Sequence, residues 1–235
     1  METHETDSDA FARLAEDREL LGRSSTAERI AEILRERIIE GLLRPGARLS
    51  EDAIGRALGV SRNTLREAFR LLSHERLVVH ELNRGVFVRT LSSDDVVDLF
   101  RARRLVECSA LRCAAPTREA LKPLRAAVED GERAAAAGRG ADTGTANMRF
   151  HQGIAALAGS RRVDEVMRQL LAELRLVFLA MDDPNRFHKP YVERNREILA
   201  RLEAGEVPRA QDLLAEYLAD AERQLLDVFA PPPPP

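Results

Sequence analysis

Arg62, Arg66 and Arg70 recur every four residues in SRNTLREAFRLLS, residues 61–73. On a helix this spacing stacks them into one cationic stripe. Guanidinium is a planar fork that fits the guanine edge or a phosphate, so the chemistry on offer is nucleic-acid recognition rather than catalysis. The plainer alternative is a solvated surface stripe. The surrounding residues favour recognition. Leu65, Ala68, Phe69 and Leu72 fall at i, i+3, i+4 and i+7, a face to be buried beside the stripe. Ser61 can cap the helix by accepting a free N–H of its first turn. Just before it, EDAIGRALGV carries Ile54 and Leu58 one turn apart, with Gly59 suited to closing that helix. Helix, glycine turn and a second helix opening on arginine form the helix-turn-helix pattern, whose second helix enters the major groove N-terminus first. Arg62 and Arg66 are then base or phosphate readers. Asn63 and Thr64 lie at the helix start, and Arg70 extends the stripe.

The elements that must hold this helix can also be read. Ile30, Ile33, Leu34 and Ile38 keep helical spacing in a preceding helix capped by Ser25 or Thr26. Arg44-Pro45-Gly46 signals a turn. LVVHE (77–81) and GVFVR (85–89) are β-branched or aromatic runs separated by Leu82-Asn83-Arg84, which predicts a two-stranded hairpin. A helix-turn-helix followed by a hairpin is a winged helix. Arg84 and Gly85 stand at the wing tip, toward the minor groove or the backbone. His74 and His80 flank the hairpin as surface residues.

The run LRPGARLSEDAIGRALGVSRNTLREAFRLLSHERLVV with NRGVFV closely resembles the DNA-binding domain of GntR-type bacterial transcription regulators; LGVSR, LREA and NRGVFV are its specific parts. The helical remainder resembles the FCD-type effector domain of the FadR-like subfamily, so the likeness covers roughly residues 25–230. One departure is local. The family usually has glycine just after the recognition helix, where Arg76 stands here. A left-handed Arg76 costs on the order of 1 kcal/mol.

Bulk properties agree with such a reading. The chain has 235 residues, 44% of them hydrophobic, enough for one large or two modest packed domains. Its net charge of −3 argues against a non-specific polyelectrolyte binder. The charge is uneven: residues 24–91 hold twelve arginines and nine acids, a net +3 that leaves −6 for the rest. A mildly basic head on an acidic body suits specific DNA binding. Only Lys122 and Lys189 are lysines, and the bias to arginine and alanine fits a GC-rich genome. Cys108 and Cys113, five apart on different helix faces, suggest a reduced interior rather than a disulfide framework. With no apolar run of membrane length and no secretory segment at the start, the expected location is the cytoplasm, with no membrane partner.

The predicted fold class is mainly α: a winged helix-turn-helix over 24–91, then an antiparallel bundle of about six helices over 92–230. Residues 1–23 read as a flexible arm and 231–235 as a proline tail. In the bundle, Leu91-Ser92-Ser93 is a hinge and cap for a first helix to about Ala115. Thr117 caps a second, to about Ala137. The others span about Thr145–Leu157, about Val163–Met181, about Tyr191–Glu203, and Pro208 to near Phe229. His188 reads as an exposed loop residue.

The FCD resemblance implies a metal in the bundle, held by one Asp and three His. Here Asn147 stands for the Asp, His151 for the first His, Asn195 for the second and Tyr217 for the third. Only His151 is retained, and one imidazole does not hold zinc or nickel, so no metal or other cofactor is expected. Asn147, His151, Asn195 and Tyr217 should still converge as polar groups. Either they satisfy one another or they line a pocket for a small polar effector. Arg103 resembles the arginine that faces a carboxylate effector in metal-bearing relatives; its plainer role is an ion pair with Glu107, one turn away. The function this implies is a ligand-responsive, homodimeric regulator, a repressor, bound to an inverted-repeat operator. The competing readings are a winged helix used for protein docking and a metal-dependent enzyme. Against an enzyme, no Ser-His-acid set and no phosphate-binding glycine loop is visible.

Overall fold

The structure, a computed structural model, describes residues 25–114, 116–181 and 184–229. The expected N-terminal arm (1–23) and proline tail (231–235) lie outside these residues. The chain runs α1 (Thr26–Ile39), β1 (Arg48–Leu49), α2 (Glu51–Leu58), α3 (Arg62–His74), β2 (Val78–Glu81) and β3 (Gly85–Val88). Six long helices follow: α4 (Ser93–Cys113), α5 (Lys122–Ala136), α6 (Gly140–Ala156), α7 (Arg161–Leu179), α8 (Pro184–Glu203) and α9 (Val207–Phe229).

Ser25 caps α1 through a reciprocal box: its hydroxyl accepts from the Glu28 N–H while the Glu28 carboxylate accepts from the Ser25 N–H. Ala27, Ile30, Ala31, Leu34 and Ile38 turn inward. Ile33, read as part of that face, is 40% exposed; it points round the helix from the side that Ala27, Ile30, Ala31, Leu34 and Ile38 share. Ser50 caps α2, and Gly59 ends it at φ 66°, a conformation that costs glycine nothing. Ser61 caps α3 and accepts from the Thr64 N–H. Leu65, Ala68, Phe69 and Leu72 are fully buried, and they fix which side of α3 faces out.

The wing differs from the two-stranded expectation. It is a three-stranded antiparallel sheet in the order β1-β3-β2, with Leu49 opposite Val86 on one edge and Val78 opposite Val88 on the other. Two residues of β1 are too short to show alternation in sequence. Arg76, immediately after α3, adopts φ 58°, the strained conformation foreseen for a non-glycine residue there. Arg76→Gly should raise the unfolding free energy by about 0.5–1 kcal/mol. An unchanged or lowered thermal midpoint would show that the Arg76 charge beside Asp95 matters more than its backbone.

Ser92 caps α4 in a second reciprocal box with Asp95. Three bundle helices depart from their expected spans. α5 starts at Lys122 rather than Thr117, whose hydroxyl instead accepts from the Ala120 N–H in a preceding turn. α6 starts at Gly140 rather than Thr145, because its first turns are small residues with no apolar rhythm. α8 begins at Pro184 and carries Pro190 inside it. His188 is therefore helical and 1% exposed, not an exposed loop residue; proline signals misled the reading. Small residues bring helices close: a Cβ on Gly153 would stand 2.9 Å from Leu124, and one on Gly144 2.6 Å from the His188 ring.

Candidate functional site

Two sites stand out, one on the surface of α3 and the wing, the other inside the bundle. On the surface, the side chains of Arg62, Arg66, Arg70 and Arg84 are 63–76% exposed. Asn63 and Gly85 are exposed as well. The Thr64 hydroxyl lies 2.7 Å from that of Ser61, so it belongs to the cap. Each arginine rests on a carboxylate: Arg62 on Asp52 at 2.8 Å, Arg66 on Glu51 at 3.0 Å, Arg70 on Glu67 at 3.1 Å, and Arg84 on Glu81. Exposed pairs of this kind contribute only about 0–1 kcal/mol, so a phosphate or base edge can replace them. Arg84 also lies over the Phe87 ring, 5.4 Å from its centre, which steadies the wing tip. Arg48, missed in sequence, stands beside Gly85: a Cβ there would be 3.5 Å from its Nε.

The head is joined to the bundle by charged contacts that span long stretches of chain. Arg89, leaving β3, donates to Glu173 of α7 at 2.8 Å and pairs with Asp95. Arg175 of α7 donates to the Ile39 carbonyl at the end of α1, at 3.2 Å. These residues carry no local motif, so sequence reading passed over them.

Inside the bundle, the expected polar set does come together. The Asn147 carbonyl oxygen accepts from Asn195 Nδ2 at 2.7 Å and from the Tyr217 hydroxyl at 2.8 Å. His151 packs against the Tyr217 ring, centres 4.8 Å apart. Arg103 donates to Glu107 at 2.8 Å, as its plainer role required, and His151 Nδ1 lies 2.5 Å from the other Glu107 oxygen. Glu107, which joins the two, was not singled out as a site residue. Burial pushes its carboxyl up, but Arg103 and then His151 outweigh that and hold it below the usual range. An ionised Glu107 fixes His151 as the Nδ1–H tautomer, leaving Nε2 as an acceptor. Burial raises the Tyr217 hydroxyl far above its ordinary value, so it stays neutral.

Burial lowers the basicity of His151, with Glu107 opposing and Arg103 adding. It lowers that of His188 to about 3, helped by Arg175 and His151. Both rings are thus neutral when folded but become charged on unfolding below about pH 6.5. The unfolded chain then binds more protons, so stability falls as the pH falls. For His188 the loss runs from roughly pH 6 to 3 at about 1.4 kcal/mol per pH unit. Denaturant unfolding at several pH values should show this slope, and His188→Leu should flatten it. Equal stability at pH 7 and pH 4 would contradict the assignment.

The fold and the surface site define a winged helix-turn-helix protein with an all-helical second part. The family model described as "Bacterial regulatory proteins, gntR family" matches residues 26–88, and that of the FCD domain matches residues 98–220. The chain belongs to the gntR family of bacterial regulatory proteins, with an FCD domain. It is similar to the "Probable D-xylose utilization operon transcriptional repressor" of Paenarthrobacter nicotinovorans, 28% identical over 85% of this chain and 88% of that one. The gluconate operon transcriptional repressor of Bacillus subtilis is 36% identical, but over 37% of this chain and only 35% of its own length. Among solved structures, a GntR transcriptional regulator of Rhodococcus sp. RHA1 has a TM-score of 0.83 at 46% identity, covering 88% of this chain and all of that one. The E. coli protein McbR/YncC shares the fold, with a TM-score of 0.74 at 21% identity. No helix among the described residues is long and apolar enough to cross a membrane.

Proposed function

We propose that the chain is a cytoplasmic, homodimeric repressor that binds an inverted-repeat operator and answers to a small polar effector held in the bundle, without catalysis. The observation that carries this is the outward-facing stripe of Arg62, Arg66 and Arg70 on a capped helix whose other side is fixed in the core. Two copies of α3 would enter successive major grooves, centres about 34 Å apart. Asn63 follows the first arginine into the groove, and Arg84 with Gly85 reaches the flanking backbone or minor groove. Relatives named as operon repressors support the direction of control. The test is a mobility-shift titration with DNA flanking the coding region. A competitor-resistant complex is expected; no complex even at low salt would favour a docking role for the winged helix.

The effector site comprises Arg103, Asn147, His151, Asn195 and Tyr217. Nothing in that set suits a transition metal. Asn147 spends its oxygen on two donors, Tyr217 stays neutral, and what remains is the Nε2 lone pair of His151 and the weak, neutral amide oxygen of Asn195. A single imidazole is too weak to hold the ion, so the regulator works without one. The triple variant Asn147→Asp, Asn195→His, Tyr217→His should gain tight zinc binding, near one ion per chain, as read by competition with a chromogenic chelator. Zinc held equally by the unaltered chain would refute the metal-free reading.

A further inference from the structure

Among the described residues, the bundle interior holds a group of four that carry polar atoms with no partner: Arg103 at Nη2, His151 at Nε2, Asn195 at Oδ1 and His188 at both ring nitrogens. None of the four is more than 4% exposed. Buried polar atoms are ordinarily paired, so this concentration marks a place that something else completes. His188 was not expected there, yet its position is regular. Gly144, Asn147 and His151 follow one another at i, i+3 and i+7 on α6; His188, Tyr191 and Asn195 do the same on α8. The two rows face each other. His188 Nε2 lies where a Cβ on Gly144 would come within 2.6 Å, and Asn195 donates to Asn147 at 2.7 Å. Seven residues of helix set the length of the row at about 10 Å.

Arg103 and Glu107 neutralise each other at 2% and 0% exposure. Arg175, whose charge His188 feels, keeps that charge but donates its Nε to the Ile39 carbonyl at the end of α1. What remains is the Nη2 group of Arg103 as a donor of two N–H bonds, acceptors on His151 and Asn195, and one donor and one acceptor on neutral His188. An anion placed on Arg103 would share one guanidinium with the Glu107 carboxylate. Closely spaced neutral donors and acceptors are the complement of hydroxyl groups.

We propose that this row binds an uncharged, hydroxyl-rich small molecule, a sugar or polyol, with His188 as one of its contacts. That ligand differs from the carboxylate that the family resemblance implies. The proposal rests on the effector reading above and narrows it.

The test is thermal unfolding and calorimetric titration of the full chain with D-xylose, D-glucose and D-glucitol, set against D-gluconate and hexanoate. At least one neutral probe should raise the midpoint by several degrees and bind about tenfold or more tighter than gluconate; hexanoate should do nothing. His188→Leu should weaken that probe about tenfold or more. It should leave the ligand-free midpoint equal or higher at neutral pH, since leucine has no nitrogens to strand. A purely structural His188 would instead lower that midpoint and spare the affinity. His188→Gln should restore part of the binding. Gluconate binding as tightly as the neutral probes, silence from all three neutral probes, or full affinity in His188→Leu would each overturn the proposal. DNA retardation measured on the same samples separates the two levels: if it persists while the probes fail, only the ligand class is wrong.

Discussion

Arg66→Ala should weaken operator binding by about 1–3 kcal/mol per half-site, or roughly 5- to 150-fold. Arg66 projects from the second turn of α3 with its side chain 63% exposed, tethered among the described residues to Glu51. That pair is replaceable, so the arginine is available to DNA. Retardation on matched and scrambled operators distinguishes its two possible partners. A guanine contact shows as a loss on the matched site alone. A phosphate contact shows as an equal loss on both, with the salt slope falling by about one per half-site. Binding that does not change would remove Arg66 from the interface and leave the stripe without its central member.

Glu107→Ala should cost the fold about 3–5 kcal/mol, a large part of what a domain has. The substitution leaves the Arg103 charge uncompensated at 2% exposure and strips His151 Nδ1 of its partner. Because Arg103 and His151 hold the Glu107 carboxyl below its usual range, the pair contributes at pH values above the ordinary carboxylate range. That contribution fades as acid brings the pH down through the lowered folded value. Urea unfolding at pH 7 reads the loss directly. Glu107→Gln, which keeps an acceptor but not the charge, should fall between wild type and Ala. A cost below about 1 kcal/mol for Ala would mean that water reaches Arg103 and that the cluster is not sealed.

How much of this could be read in advance follows from where each signal lives. The helix-turn-helix was legible because it is local: Ser61, Gly59 and the four buried positions of α3 lie within fifteen residues and each obeys a rule of spacing or capping. The convergence of Asn147, Asn195 and Tyr217 came from a family pattern, and the structure does join them. What failed was non-local or masked by competing signals. β1 is two residues long and exists because β3 offers it an edge. The start of α6 is made of glycine, alanine, aspartate and threonine, whose helicity comes from neighbours rather than from apolar rhythm. Pro184 and Pro190 made the segment around His188 look like a loop, yet α8 starts at the first and runs through the second. The Arg89–Glu173 and Arg175–Ile39 contacts join residues 84 and 136 positions apart, and no periodicity announces such pairs.

The central claim is that the exposed face of α3 reads DNA. Hydroxyl-radical footprinting of the full chain on the DNA flanking its coding region tests it most directly. Two symmetric protected patches about one helical turn apart are expected, both lost when Arg62 and Arg66 are replaced together by alanine. Protection that survives the double substitution unchanged, or no protection at any protein concentration in low salt, would contradict it.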